Sequence, residues 1–292
     1  MIQSQNDLFA AISNGQSDRQ DWNKVFGGSA GTTGRWYELF SASGYPPASA
    51  FPGTALAFVN CSNALGDGTT RFGIPLGANV GPLIKHAITM AAWSTAGTGV
   101  PSVLKLVDLI GYYPGISMNS ATAQTLTGTP TLRGPGWGGV RAALAIRTAS
   151  GATAHNLSMS YTDQDGNAGA TMPYTVSCTA SAIASHLTHA GVATNNYGPE
   201  LPLASGDTGI RSVQSITLSA ASGAGTAALL LYRPITQIPL AVASLMGEKD
   251  FANQFPAFNR IPDDACLGFI LGAGAAVAAS TQFAGSFETV WG

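Results

Sequence analysis

Ile210–Pro234 reads IRSVQSITLSAASGAGTAALLLYRP. Two apolar segments flank a run of small residues, Ser219–Ala227, and only Arg211 and Arg233 carry charge. Such text predicts two strands joined as a hairpin. In the first arm Ile210, Val213 and Ile216 step by three and Leu218 by two, so strict alternation fails and a bulge or twisted edge is expected. The second arm, Ala227–Tyr232, is apolar at consecutive positions and should be covered on both faces. In a β-only chain that cover needs a second sheet and something beyond it, which reads as a neighbouring subunit.

The rest of the chain after Ala55 has the same texture. Candidate strands fall at Ala55–Asn60, Leu83–Trp93, Val103–Tyr113, Thr122–Leu132, Val140–Arg147, His155–Thr162, Thr171–Cys178, Thr226–Tyr232, Ile238–Ala243, Cys266–Leu271 and Gln282–Trp291. Turn texts such as GTG, GPGWGG, DQDG and SGD separate them. Short strands punctuated in this way predict an all-β fold, a β-sandwich of jelly-roll type with one or two packed units. The clearest hairpin is Leu157–Val176, where Leu157, Met159 and Tyr161 alternate before the turn and Met172, Tyr174 and Val176 after it. Val192–Pro202 reads as a linker, giving units at 55–195 and 196–292, the second a separate unit or a continuation of the first. Gly247–Cys266 concentrates charge and reads as a surface excursion with a helical turn at Lys249–Gln254.

Residues 1–54 differ. Leu8, Phe9 and Ile12, then Trp22, Val25 and Phe26, sit at helical spacings, separated by Gly15. Beyond Gly27 the text is loop-like, with aromatic anchors. These residues read as an arm of short helices and extended chain lying across another surface, of this fold or of a neighbouring subunit. Trp22, Phe26, Trp36, Tyr37 and Phe40 are its candidate inter-subunit contacts, since large aromatic residues anchor interfaces. On that reading, a chain lacking Met1–Pro47 folds but does not assemble.

Composition narrows the function classes. Charged residues make up 10% of the 292, and the net charge is −2. An average soluble protein carries about 25% charged residues. No basic field is present to hold nucleic acid. A surface so poor in charge favours life in an assembly over life as a free enzyme. Cys61, Cys178 and Cys266 are far apart and form no CxxC, which points to buried apolar thiols. The N-terminus lacks the basic start of a secretory signal. The uncharged run Cys266–Phe287 is too rich in Gly and Ala, and too interrupted, for a membrane span; it predicts strand–turn–strand.

No motif carries chemistry. Phe269–Ala279 (FILGAGAAVAA) imitates a dinucleotide loop, but Val277 stands where the third glycine or alanine belongs and too little chain follows for a βαβ unit. Gly27–Gly31 (GGSAG) matches a nucleophile elbow by letter, without the strand before Ser29 and the helix after it. Asp163–Asn167 (DQDGN) fails the calcium-loop register and reads as a hairpin turn. His186 and His189 lack a third ligand. No carboxylate pair stands out for acid–base work. No catalytic, cofactor or metal residues are therefore expected, and no membrane or nucleic-acid partner.

The blocks Leu201–Leu240, Asp263–Gly292, Arg71–His86 (RFGIPLGANVGPLIKH) and Val107–Ile116 (VDLIGYYPGI) resemble a family of tailed-bacteriophage virion structural proteins. The resemblance runs from about Trp22 to Gly292 in general text and spacing. It implies a β-rich, non-enzymatic subunit made in the host cytoplasm and packed in many copies on the particle. The expected part is a head decoration (cement) protein, a homotrimer on the major capsid protein. Other parts open to this text are a jelly-roll major capsid protein and a tail, collar or fibre-base subunit. A carbohydrate-binding or hydrolytic β-sandwich is the alternative of another class.

Overall fold

The computed structural model describes all residues except 1, 3, 63–72, 77–79, 82, 96–99, 135, 179–181, 188–197 and 251–259. The one helix among the described residues is α1 (Gln5–Ser13), capped by Ser4, whose hydroxyl accepts from the Asp7 amide. Strands follow as β1 (Ser17–Val25), β2 (Arg35–Glu38), β3 (Ser43–Tyr45), β4 (Val59–Asn60), β5 (Lys85–Ser94) and β6 (Ser102–Ser117). Next come β7 (Gln124–Thr125), β8 (Arg141–Thr148), β9 (His155–Asp163), β10 (Ala170–Thr171), β11 (Val176–Cys178) and β12 (His186–Leu187). The chain ends with β13 (Ile210–Leu218), β14 (Thr226–Leu240), β15 (Gly247–Asp250), β16 (Arg260–Ile261), β17 (Leu267–Ala273) and β18 (Gln282–Trp291).

The all-β expectation holds, and the architecture is a barrel flanked by two sheets. Strands β6, β14, β8, β12, β2 and β17 pair in that order, and β17 returns to β6, so six antiparallel strands close on themselves. Closure removes the edges that an open sheet would expose. A second sheet, β15-β5-β18-β1-β3, and a third, β10-β9-β13-β7, complete the fold.

The three larger of four apolar clusters follow from side-chain alternation. Along β14, Ala228, Leu230 and Tyr232 point into the barrel lumen, while Ala227, Leu229 and Leu231 point out, into the core shared with β9 and β13. Along β17, Ile270 faces the lumen and Phe269 and Leu271 face the core shared with β1, β5 and β18. A six-stranded lumen is narrow, which is why Ala143, Ala145 and Ala228 line it. Gly268 and Gly272 admit the Phe40 and Trp36 rings; a Cβ on Gly268 would come within 2.1 Å of the Phe40 ring.

The two arms of Ile210–Pro234 do not pair. β13 pairs with β9 and β7, and β14 with β6 and β8, so the chain crosses from one sheet to the barrel between them. Small residues are needed because the crossover is tightly packed: a Cβ on Gly151 would stand 1.9 Å from the Ser222 carbonyl oxygen. Met118 and Ser222 clamp it, the Ser222 amide donating to Met118 O and the Met118 amide to Gly225 O. The expected irregularity of the first arm is present, as register shifts at Ile210/Ser212 and Val213/Ser215. The second arm is buried on both faces as expected, but the cover is the chain's own barrel lumen and flanking sheet, not a neighbour.

The N-terminal arm needs the largest correction. Only its first part is helical. Ser17–Val25 is a nine-residue strand fully paired with β18, and β2 closes the barrel. Trp22, Lys24 and Phe26 are the inward set, a period of two hidden in the text by a lysine at a core position. Lys24 is tolerated there because its ammonium donates to the carbonyls of Ala42 and Pro46, at 3.1 and 2.6 Å. Strands from both sides of residue 195 interleave, since β14 and β17 pair with β6. The Leu157–Val176 hairpin forms, with β10 and β11 both on β9. Lys249 and Asp250 lie on β15 rather than in a helical turn; 251–254 of that expectation, 192–197 of the linker and His189 lie outside the described residues.

Candidate interaction surface

Most of the aromatic anchors expected at an interface are spent inside the chain. Trp22 packs on Phe269 with centroids 4.0 Å apart, and Phe26 meets Tyr37 edge-on at 5.0 Å. Tyr37 also accepts the Thr32 amide at 2.6 Å. Phe40 fills the lumen beside Phe51, which meets Tyr112 edge-on. All four are buried, so this fold leaves them nothing to offer a neighbour. Trp36 alone keeps a partly exposed face, with the Lys105 ammonium 4.6 Å from its ring centroid.

Several of the scarce charges are likewise spent on the fold. Along one side of β6, β17 is succeeded by β4, so Cys61 and Cys266 stand where two chain segments meet. Arg133 stitches this seam: it donates to the carbonyls of Cys61, Asp264 and Leu109 and pairs with Asp108 at 2.7 Å. Asp108 also accepts the Cys266 amide at 2.9 Å, and Arg233 donates to the carbonyls of Arg133 and Gly136. Burial pushes the Asp108 carboxyl up against the pull of Arg133. Burial, and next the neighbouring Cys266 thiol, raise the Cys61 thiol well above its ordinary value. Residue spacing along the chain does not mark this proximity, because the strands that create it are sequence-distant.

A second pair, buried Glu38 with half-buried Arg147 at 2.8 Å, lines a cavity of about 220 Å³ with Ser29 and Ser41 on its wall. Glu38 accepts the amide and hydroxyl of Ser41. Ser29 follows β1, but Gly31 then bridges Val277 and no helix follows, so the elbow geometry is absent. Asp163 is consumed by its turn. It accepts the amides of Asp165 and Asn167 and the Asn167 side-chain amide, which hold its carboxyl below the usual range, the side-chain bond to Asn167 most of all. No group of three metal-ligating side chains occurs among the described residues, and none of their helices is long and apolar enough to cross a membrane.

Exposed apolar surface is also open to recognition. At one end of the barrel, Trp36, Pro101, Val103, Leu240 and Ala273 line an open, apolar recess of about 460 Å³. The loop 241–246 leaves β14 at its rim. Ser244 holds a left-handed backbone (φ 59°) and its amide donates to Ser94 O, fixing the turn into β15. This turn presents Val242, Leu245 and Met246 to solvent at 55%, 62% and 54% exposure. Across the loop lies a groove of about 480 Å³ on the outer face of the β1–β5–β18 sheet, lined by Met246, Trp93 and Tyr45. Three outward apolar residues on a pinned turn between two recesses form the most contact-ready surface described.

No protein-family model matches the chain, and no curated protein matches its sequence. Among solved structures, that of the infectious bursal disease virus Gx strain aligns over 94% of this chain and 81% of the other at 9% identity, with a TM-score of 0.20. A score that low carries no argument about fold or role.

Proposed function

We propose that this chain is a structural protein of a tailed-bacteriophage virion, a head decoration protein that binds the outer surface of the capsid as a homotrimer and has no enzymatic role. The observation that carries the reading is the pinned apolar turn Val242–Met246 beside the barrel-end recess, on a chain whose buried charges serve its own fold. Exposed apolar side chains on a fixed backbone lose little entropy on docking and gain by leaving water. Many such subunits, each binding only the assembled shell, would stabilise it by mass action. The resemblance of Leu201–Leu240 and Asp263–Gly292 to virion proteins supports the same role. The partners are the major capsid protein and copies of this chain.

The test is add-back. The purified chain is mixed with phage heads lacking it and then pelleted. Saturable co-sedimentation is expected, and a Val242→Ser/Leu245→Ser variant should stay in the supernatant with its melting curve unchanged. No binding by the unaltered chain, or full occupancy by the variant, would refute the proposal.

A further inference from the structure

Register places a groove on the outer face of the β1–β5–β18 sheet. Trp93 lies opposite Ala284, Ala284 opposite Asn23, and Asn23 opposite Tyr45, a single row across four strands. Strands lie about 4.8 Å apart, so the two aromatic residues stand about 14 Å apart at the backbone. Between them the row carries only an alanine and an asparagine. The next row holds Ser286 and Asp21, directly paired, and the one after it Glu288 opposite Arg19. Alternation turns all of these outward, since Trp22, Gly285 and Phe287 are the buried set. α1 covers the other end of this face, where Leu8 and Ala11 pack on Ile88 and Val290, and leaves this end open.

The groove's chemistry is mixed in a particular way. Its ends are aromatic, with Tyr45 at 45% exposure. Its floor is polar: the Asp21 side chain is 80% exposed and 3.6 Å from Arg19. Asn23 accepts the Tyr45 amide through Oδ1, which leaves its side-chain NH2 to donate outward. An apolar peptide segment would desolvate Asp21 and Arg19 without pairing them. A polyanion would meet too little positive charge. A saccharide ring presents an apolar C–H face to an aromatic wall and a rim of hydroxyls that both donate and accept. The volume of about 480 Å³ lies in the range of small-molecule sites.

We infer that the groove between Trp93 and Tyr45 is a saccharide-binding site, with Asp21, Asn23 and Ser286 taking the ring hydroxyls. This inference does not depend on the virion reading. The test uses the full-length chain, fluorescently labelled, on an array of bacterial and eukaryotic oligosaccharides, followed by titration of the best ligand against tryptophan fluorescence. Saturable binding with a fluorescence change is expected. Trp93→Ala and Asp21→Ala should each weaken it at least tenfold. Because Trp93 is half-buried, Asp21→Ala, at a solvent-exposed side chain, tests the site without threatening the fold. Absence of saturable binding to any arrayed saccharide would overturn the inference, and so would binding that both variants leave intact.

Discussion

Lys24 and the buried tyrosines give the protein opposite responses to alkaline pH. Burial lowers the Lys24 ammonium from its ordinary 10.5 to about 8, against the attraction of Glu38. Between those values the unfolded chain binds more protons than the folded one, so stability rises with pH. Burial also raises Tyr113 and Tyr161 from 10.0 to about 12. Their contribution is complete below pH 10 and is lost as pH climbs through 12. Urea unfolding should therefore show stability increasing from pH 8 to about 9, where the raised Cys61 thiol begins to offset Lys24, and falling above 10, with the rising limb absent in Lys24→Met. At the seam, Arg133→Leu leaves Asp108 buried without its partner and should cost about 3–5 kcal/mol in the same assay. Replacing both Arg133 and Asp108 with apolar residues should recover part of that loss. Gly268→Ala drives a methyl into the Phe40 ring and should destabilise by about 1–3 kcal/mol, with rescue by Phe40→Leu.

Among the elements, the long alternating and fully apolar strands were legible in the sequence. β5, β6, β8, β9, β13, β17 and β18 lie where the apolar text places them, because burial on one or both faces writes a period or a run. β14 was legible in two pieces; Pro234 interrupts its text, but a register shift at Pro234/Thr236 carries the strand through. β1 was illegible because Lys24 occupies a core position whose compensation comes from the carbonyls of residues 42 and 46. The partnering of strands was also illegible. Nothing in SAASGAGTA distinguishes a hairpin turn from a crossover, since both need small residues; only the packing against Gly151 shows which one forms. The lumen is the sharpest test at this scale. Ala228→Leu overfills it and should cost about 1–3 kcal/mol, while Leu229→Ala, one residue on, empties the outer core and should cost about 2–5 kcal/mol.

For the whole molecule, the barrel makes the N-terminus part of the fold. Deleting Met1–Pro47 removes β1, β2 and β3, opens the barrel and strips two strands from the flanking sheet, so the truncated chain should be insoluble or unfolded by circular dichroism. This reverses the expectation drawn from the text, in which that segment reads as a detachable arm. The candidate surface was equally hidden. Aromatic residues drew attention to Trp22 and Phe40, which the core absorbs, while Val242, Leu245 and Met246 gained meaning only once the turn at Ser244 was seen to hold them outward. The proposed virion role is tested most directly by quantitative mass spectrometry of purified virus particles from the source that encodes this chain. A copy number in simple proportion to the major capsid protein is predicted for a decoration protein. Absence from the particle, or a few copies each, would contradict it.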